Sequence, residues 1–287
     1  MKNYVVTNAY LNTEAFVNLK NSLSAAFEKA GEKAIFLGND EAYSLCERKG
    51  GNNPILFFDK DIPLCRLLEK QGYRSVNSAK VIETCDDKVK TFACLCGDFP
   101  MPKTVLAPFT YSNVGYTDYN FIARTEEKLS YPIVVKDGQG SFGKQVFLAK
   151  NRDELVASLK SLAGRPIVLQ EYIAESAGRD LRVYVVGGKA VACAERINEN
   201  DFRSNVQSGG HMKPVDFSDE KHADYIALAE CVSAYIGADF AGVDLLFSKR
   251  GPLVCEINSN AHFSALSAAT GVDVAYEIVK YYLSLKS

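Results

Sequence analysis

The chain of 287 residues is long enough for two or three lobes, each with its own hydrophobic core. Its composition, 47% hydrophobic and 24% charged, is that of an ordinary soluble globular protein. The formal net charge of -2 gives no overall positive field, so neither nucleic acid nor an anionic membrane is an expected partner.

Targeting and disulfide signals are not expected either. No run approaches the ~18 apolar residues of a membrane-spanning helix, and the opening residues do not resemble a secretory signal. The eight cysteines are scattered without a CxxC pair, and the three histidines are dispersed. The sequence therefore predicts a cytoplasmic protein with reduced thiols and no zinc site.

The first third of the chain alternates short apolar strands with amphipathic helices. Strands are predicted at 2–7, 33–37 and 54–58, and helices at 13–30 and 63–71. This alternation predicts a parallel sheet with a ligand cleft at the carboxyl ends of its strands. Asp59 and Lys60 follow the third strand, so they either contact substrate or serve only as turn and cap residues.

Lys88 stands where a helix is predicted to begin. Asp86 and Asp87 suit the first turn of a helix that ends near residue 95. Lys88 does not, because a cation opposes the helix dipole there, so a separate partner is expected to hold it. Further helices are predicted at 121–128, 153–163, 219–236 and 272–285.

A glycine loop joins two predicted strands at 133–136 and 145–149. Its glycines, Gly138, Gly140 and Gly143, spell G-x-G-x-x-G. A dinucleotide-binding fold requires a helix after such a loop, but residues 145–149 alternate like a strand. The sequence therefore predicts a strand–loop–strand flap whose backbone N–H groups face phosphates. Lys136 ends the first strand, which favours a phosphate contact for it.

A hairpin is predicted about the turn Gly187-Gly188. Counting outward from the turn gives the facing pairs Asp180–Glu195 and Arg182–Cys193, and places Arg196 on the other face. Arg182 then either forms a structural ion pair with Glu195 or supplies charge to a phosphate. The polar segment 198–210 is either a mobile surface loop or, through Arg203 and Asn205, part of a phosphate-and-metal site.

Residues 241–260 predict a further hairpin, closed by the loop Lys249-Arg250-Gly251. Its expected facing pairs are Leu246–Val254 and Asp244–Glu256, with Asn258 on the same face as Glu256. Carboxylates ~4.5–5.5 Å apart repel, so they need a cation or a shared proton. With an amide oxygen they suit Mg²⁺. The alternative is an exposed ladder of solvated charges, which the apolar neighbours disfavour.

Several separate stretches resemble one family, the ATP-grasp carboxylate–amine ligases, and within it the RimK-like glutamate ligases. They span about residues 85–280 and read DDK, YPIVVK with its glycine loop, LQEYI, GRDLRVYVVGG, DFRSNVQSGG, GVDLL and GPLVCEIN. The resemblance implies an α/β ATP-grasp fold in three parts. These are a parallel-sheet pre-ATP-grasp domain (1–84), a central lid lobe with the phosphate loop (85–168) and an antiparallel-sheet lobe with the metal site (169–287).

The resemblance also implies residue roles. Lys88 and Lys136 would contact ATP phosphates. The backbone around Glu171, Tyr172 and Ile173 would bind the adenine edge, Asp180 would bind ribose, and Gln170 would be a further nucleotide contact. Other nucleotide contacts would come from Gly140, Ser141, Arg203, Ser204 and Asn205. Arg196, Arg203 and Asn205 would be the catalytic group. Asp244, Glu256 and Asn258 would hold Mg²⁺ or Mn²⁺, with two ions expected.

The chain departs from the family after Asn258. Family members usually continue with a small residue and then Ser-Pro-Gly, whereas this chain reads Ser259-Asn260-Ala261-His262. Because that loop normally lies near the amino-acid substrate, the substrate need not be glutamate. Arg182, Asn260 and His262 are the substrate candidates, and His262 either binds a substrate carboxylate or caps the next helix.

The implied reaction joins a carboxylate, activated by ATP as an acyl phosphate, to an amine. Its expected partners are small-molecule or peptide substrates, for example glutamate and a small acid, and the family resemblance allows a dimer or tetramer. One alternative is a small-molecule kinase, although the sequence has no H-R-D loop and no D-F-G. Another is a non-catalytic ATP-binding module, which would require a broken metal site.

Overall fold

The computed structural model describes residues 2–140, 143, 145–206 and 209–286. The described strands are β1 (Asn3–Thr7), β2 (Ala34–Gly38), β3 (Pro54–Phe58), β4 (Arg74–Val76), β5 (Thr104–Leu106), β6 (Ile133–Asp137), β7 (Val146–Ala149), β8 (Ile167–Glu171), β9 (Arg179–Val186), β10 (Lys189–Ile197), β11 (His211–Pro214), β12 (Phe240–Leu246) and β13 (Leu253–Asn258). The described helices are α1 (Glu14–Lys29), α2 (Asn39–Ala42), α3 (Ile62–Lys70), α4 (Ala79–Cys85), α5 (Lys88–Leu95), α6 (Phe121–Glu126), α7 (Arg152–Ser161), α8 (Ala223–Ile236), α9 (Ser264–Thr270) and α10 (Val274–Ser284). The predicted α/β architecture, a parallel sheet followed by antiparallel sheets, is confirmed.

The N-terminal sheet has the strand order β2-β1-β3-β4, and all of its pairs are parallel. β3 is apolar and buried throughout, as a strand covered on both faces has to be. Asp61 caps α3 by accepting a hydrogen bond from the backbone N–H of Leu64. Only residues 59–61 separate β3 from α3, which holds Asp59 and Lys60 at the carboxyl edge of the sheet.

Several short elements had no counterpart in the sequence prediction, among them β4, α4, β5, β11 and α9. Strands of three or four residues carry too little periodicity to be recognised. α4 did carry a signal, because the Ser78 side chain caps it by accepting a hydrogen bond from the Val81 N–H.

The central sheet has the order β5-β8-β6-β7 and is antiparallel. β6 and β7 form the predicted hairpin around the glycine loop. Leu155 and Leu159 of α7 pack against one face of this sheet. β8 runs to Glu171, past the predicted lobe boundary at 168, so we propose that the central lobe extends to that residue.

The C-terminal sheet has the order β11-β10-β9-β12-β13 and is antiparallel. Alternate side chains of β9, such as Leu181 and Val183, share a core with α8. On the opposite face, Tyr184 and Phe240 share a core with α1 and α10. Further along that same face the apolar residues give way to charged ones, so a single sheet carries both a core and the candidate site.

A β-bulge at Val191 changes the register of the hairpin between β9 and β10. The observed facing pairs are Asp180–Arg196 and Arg182–Ala194. The predicted pairs Asp180–Glu195 and Arg182–Cys193 are therefore wrong, as is the placement of Arg196 on the other face. The extra residue moves every later position of β10 by one, which brings Arg196 onto the face of Asp180 and Arg182.

The pairing of Asp244 with Glu256 across β12 and β13 is confirmed. The predicted pair Leu246–Val254 is wrong, because Leu246 faces Leu253. A bulge at Cys255 then restores the register before Glu256. Leu246 and Leu253 enclose one residue fewer than the predicted pair, and the extra residue at the bulge makes up the difference, so the two carboxylates face each other as predicted.

Asn77 joins the N-terminal lobe to the C-terminal sheet. Its side chain is fully buried and donates hydrogen bonds to the carbonyl oxygens of Phe240 (2.8 Å) and Ser259 (3.0 Å). Its oxygen accepts a hydrogen bond from the backbone N–H of Asp239 at 2.7 Å. One amide therefore satisfies backbone groups at both ends of the β12–β13 hairpin.

Among the described residues, no helix has both the length and the apolar character that crossing a membrane requires. All eight cysteines lie in the described part of the chain and are free thiols.

We expect Asn77→Ala to lower the free energy of unfolding by about 2–4 kcal/mol. The change leaves several buried backbone groups without partners, each at a cost of about 1–3 kcal/mol. Urea denaturation measures the effect, with Asn18→Ala on the exposed face of α1 as the control. Equal stability of the two variants would show that the hydrogen bonds of Asn77 to the C-terminal sheet do not stabilise the fold.

Candidate active site

Four buried charged side chains form a network on one face of the C-terminal sheet. Arg196 donates through Nε to Asp180 Oδ1 at 2.7 Å, and its Nη2 lies 2.8 Å from Asp244 Oδ2. Arg182 donates through Nη2 to Asp244 Oδ2 at 2.7 Å and through Nε to the other oxygen. No more than 9% of any of the four residues is exposed. Each buried charge therefore has opposite charges in contact with it, which offsets the cost of burial.

The network shifts the ionisation of its members. Burial acts to raise the pKa of Asp244, but the guanidinium groups of Arg182 and Arg196 outweigh it and hold that pKa below its usual value. Burial likewise acts to lower the pKa of Arg196, but Asp180 and Asp244 outweigh it and raise that pKa. The structural alternative for Arg182, an ion pair with Glu195, is wrong because Glu195 pairs with Arg179.

Lys88 reaches across the cavity from the first turn of α5. Its ammonium donates a hydrogen bond to the Gly140 carbonyl at 2.7 Å and lies 3.1 Å from Glu256 Oε1. Burial acts to lower the pKa of Lys88, but Glu256 outweighs it and raises that pKa. The expectation that a separate partner holds this lysine against the helix dipole is confirmed.

Lys136 is buried at the end of β6. Its ammonium donates a hydrogen bond to Gln170 Oε1 at 2.7 Å and lies 3.6 Å from the Cys255 thiol. Glu171, next along β8, accepts hydrogen bonds from the Lys103 N–H at 2.6 Å and from Arg250. Lys136 thus points to the strand that leads into the predicted adenine segment.

The glycine loop and the polar segment after β10 meet across the cavity. Arg203 donates to the Gly143 carbonyl at 2.6 Å and pairs with Asp201 at 2.6 Å. A Cβ at Gly143 would lie 2.6 Å from Asn205 Oδ1, and its φ of +69° also favours glycine. The close approach therefore requires glycine here. Ser141, another predicted loop contact, lies outside the described residues.

These side chains line one cavity of about 790 Å³. Every predicted site residue except Ser141 lies on its wall: Lys88, Lys136, Gly140, Gln170, Glu171, Tyr172, Ile173, Asp180, Arg182, Arg196, Arg203, Ser204, Asn205, Asp244, Glu256, Asn258, Asn260 and His262. Seven basic and five acidic side chains line the described wall, in a chain whose net charge is -2. This local positive excess suits an anionic ligand. The individual roles stay predictions.

Comparison with known proteins identifies the family. A model of the RimK-like ATP-grasp domain matches residues 85–282, more than half of the chain. The protein belongs to the RimK-like ATP-grasp family. Its fold also resembles solved ATP-grasp structures. These include a D-alanine–D-alanine ligase from Bacillus anthracis (TM-score 0.75, 15% identity, 99% of this chain and 97% of that one). They also include a RimK domain protein from Sphaerobacter thermophilus (TM-score 0.68, 22% identity, 97% and 98%).

Curated relatives are about one third identical to this RimK-like chain over the aligned residues. Beta-citrylglutamate synthase B of Danio rerio is 36% identical over 79% of the chain and 55% of its own length. Human N-acetylaspartylglutamate synthase A is 36% identical over 81% and 58%. A probable alpha-L-glutamate ligase of Thioalkalivibrio sulfidiphilus is 32% identical over 75% and 69%. The chain thus spans a little over half the length of the first two.

The RimK-like site offers oxygen donors that fit a hard divalent cation. Asp244 and Glu256 face each other, and the Asn258 side chain has no hydrogen-bond partner among the described residues. Asp244 Oδ2 is contacted by both arginines, whereas Oδ1 accepts a hydrogen bond from Arg182 alone and keeps a lone pair for a cation. Among the described residues, no three His, Cys, Asp or Glu side chains lie close enough together to hold a metal ion. A cation here would therefore depend on Asn258 and on phosphate oxygens as well.

The loop that departs from the family pattern borders the same cavity. Asn260 donates a hydrogen bond to the Asp59 carbonyl at 2.8 Å, so the loop contacts the N-terminal sheet. Burial lowers the pKa of His262, and the nearby charges of Arg182 and Lys60 lower it further. Phe263, not His262, occupies the N-cap position of α9. The sequence did not indicate Tyr10, Phe16 and Arg179, which also line the cavity.

We expect Asp244→Asn to destabilise the protein by about 3–5 kcal/mol at pH 7, because it leaves two buried guanidinium groups undercompensated. The pKa of Asp244 is depressed in the folded state. Its contribution is therefore present above the ordinary Asp pKa of about 3.9 and is lost as the pH falls below it. The difference between wild type and variant should shrink on acidification.

Urea denaturation from pH 7 to pH 3 measures this effect. Asp224→Asn, at an exposed position of α8, is the control and should change little. A difference that stays constant with pH would show that the charge of Asp244 does not stabilise the fold.

Proposed function

We propose that this protein is an ATP-dependent ligase that joins a carboxylate to an amine through an acyl phosphate. The observation that carries the proposal is the convergence of Lys88, Lys136, Asp244 and Glu256 on one cavity with a positive excess. Lys88 and Lys136 belong to the proposed central lobe, and Asp244 and Glu256 belong to the proposed C-terminal lobe. A triphosphate bound in the cavity would therefore contact both lobes. ADP, phosphate and an amide would be the products.

The nucleotide would lie between the central and C-terminal sheets. Residues 171–173 would receive the adenine edge, and Asp180 would accept hydrogen bonds from ribose hydroxyls. Lys88 and Lys136 would neutralise phosphate charge, Lys88 by exchanging Glu256 for a phosphate oxygen. Because phosphoryl transfer requires positioning and charge neutralisation more than covalent chemistry, fixed cations are the main catalytic requirement.

Arg203 and Arg196 would have different roles. Arg203 borders the glycine loop with one ion pair, to Asp201, and would stabilise charge on the transferred phosphoryl group together with Asn205. Arg196 is bound to both Asp180 and Asp244. It would keep the two carboxylates oriented towards ribose and metal.

Asp244, Glu256 and Asn258 would hold Mg²⁺ or Mn²⁺, with a second ion expected through shared carboxylate and phosphate oxygens. When bound, such ions neutralise triphosphate charge and orient the terminal phosphate. Solved ATP-grasp ligases include one complexed with Mg and ADP. Here the protein's own contribution is the pair of facing carboxylates on rigid strands.

The substrates are proposed from the relatives and limited by the loop at 259–262. The relatives' names point to glutamate as the amine, with citrate or N-acetylaspartate as the acid. Because the loop with Asn260 and His262 differs from the family's usual sequence, amino acids other than glutamate are tested as well. We therefore propose a screen of small acids (citrate, N-acetylaspartate, glutamate) against the twenty amino acids, with phosphate release and product mass as readouts. A phosphorylated acid without amide would favour a kinase, and ATP binding without turnover a regulatory module.

We expect Lys136→Met to reduce ADP formation by roughly 10²–10³-fold, the loss seen when one preorganised donor to a developing charge is removed. ATP affinity, measured by calorimetry, should fall with it. Lys150→Met, an exposed lysine directly after β7, is the matched control and should keep both. Equal turnover of the two variants would contradict a phosphate contact for Lys136.

A further inference from the structure

The N-terminal lobe contributes its own side chains to the cavity wall. Asn8 follows β1 and Asp59 follows β3, so both stand at the carboxyl edge of the parallel sheet. Tyr10 and Phe16 line the cavity beside them, and Asn260 joins them from the loop after β13. We call Asn8, Tyr10, Phe16, Asp59 and Asn260 the edge pocket.

Asp59 is the buried charge of the edge pocket. Only 7% of the residue is exposed. Its carboxylate accepts hydrogen bonds from the Lys60 backbone N–H at 2.7 Å and from the Asn8 amide at 3.3 Å. Both donors are neutral, and the Lys60 ammonium lies 3.0 Å from Asp86 instead. Burying a carboxylate without a counter-ion is costly, so the fold carries an unbalanced negative charge here.

Asp59 also differs from the other acidic residues of the cavity. Of the five on the described wall, four form ion pairs: Glu171 with Arg250, Asp180 with Arg196, Asp244 with Arg182, and Glu256 with Lys88. Asp59 has no ion pair within the described residues. It is therefore the cavity carboxylate that is open to a cationic group of a ligand.

The surroundings of Asp59 also favour proton uptake. Burial raises the pKa of its carboxyl group, and the negative charges of Asp61 and Asp86 raise it further. The cations Lys60 and Arg182 line the same cavity, but each is bound to another carboxylate. The side chains of His262 and Tyr10 also line its wall. A carboxylate whose pKa lies nearer to neutrality is the more effective general base.

The proposed ligation requires such a group. An amine substrate arrives as an ammonium ion, which has no free electron pair and cannot attack an acyl phosphate. The aromatic ring of Tyr10, which is exposed and lines the cavity, provides surface on which a cation binds favourably. The Phe16 ring is buried and has the Lys20 ammonium 5.5 Å from its centre.

On the basis of the proposed function, we propose that Asp59 binds the ammonium group of the incoming amine and removes one proton from it. The neutral amine then attacks the acyl carbon. The C–N bond forms, and the C–O bond to phosphate breaks with its electron pair leaving on phosphate. The second nitrogen proton passes to that phosphate, and Asp59 releases the first to solvent.

Two small nucleophiles test this step without knowledge of the natural amine. Ammonium is protonated at neutral pH and requires a base, whereas hydroxylamine is largely neutral and does not. Wild type and Asp59→Asn are supplied with ATP, MgCl₂ and the acid panel named above, plus either nucleophile. We expect Asp59→Asn to keep hydroxamate formation and to lose amide formation from ammonium by roughly 10²–10⁴-fold. The remaining amide rate should rise about tenfold per pH unit, as free ammonia becomes available, and less steeply in wild type.

Asp40→Asn, an exposed carboxylate of the same lobe that does not line the cavity, is the control and should behave as wild type. Thermal unfolding checks the fold of Asp59→Asn, which removes a buried charge and keeps the side-chain shape. Equal amide formation by wild type and Asp59→Asn would overturn the role of Asp59. Wild-type hydroxamate without any amide from ammonium or the twenty amino acids would overturn an ammonium site in the edge pocket. Absence of hydroxamate in wild type would instead count against the ligase itself.

Discussion

The rest of the site depends on two aspartates and two arginines buried on one face of the C-terminal sheet. Arg196 contacts both Asp180 and Asp244, and Arg182 holds Asp244 from the neighbouring position of β9. In a buried setting, each of these charges is tolerated only while its partners stay in place. The bulge at Val191 is what brings Arg196 onto this face. A local irregularity of one strand therefore places one of the seven basic side chains of the described cavity wall.

The same sheet face explains why the site is rigid. Towards the turn of the β9–β10 hairpin it carries Tyr184 and Phe240, which pack in a core with α1 and α10. Side chains on this face are thus fixed at one end by apolar packing and at the other by ion pairs. Lys88 adds a contact from α5 to Glu256 on β13. Because this contact joins α5 to β13, a phosphate that replaced Glu256 at Lys88 would act between elements that are already in position.

Features of the fold and site that depend on contacts between nearby residues were predictable from the sequence, and features that depend on distant contacts were not. The parallel sheet, the flap and the Asp244–Glu256 pair followed from patterns within a few residues. The last was correct because a connection one residue shorter than predicted and the extra residue at the Cys255 bulge offset each other. The bulge at Val191 left no signal, since residues 189–194 are apolar on both faces apart from Lys189. Tyr10 and Phe16 line the cavity together with residues from much later in the chain, such as Asn260, and no local pattern encodes that proximity. Asp59 and Lys60 were recognisable because polar residues after a buried parallel strand face the cleft.

In the proposed function, substrate choice and ATP chemistry depend on different parts of the chain. The family match begins at residue 85, so it covers Lys88, Lys136 and the facing carboxylates but none of the N-terminal sheet. The edge pocket lies mostly before that point, and its one later member, Asn260, belongs to the loop that departs from the family pattern. Asn260 donates a hydrogen bond to the Asp59 carbonyl, so the loop that departs from the family pattern meets the N-terminal sheet at this edge of the cavity. Membership of the family therefore constrains how this protein would activate a carboxylate, and the chemistry around Asp59 constrains which amine could receive it.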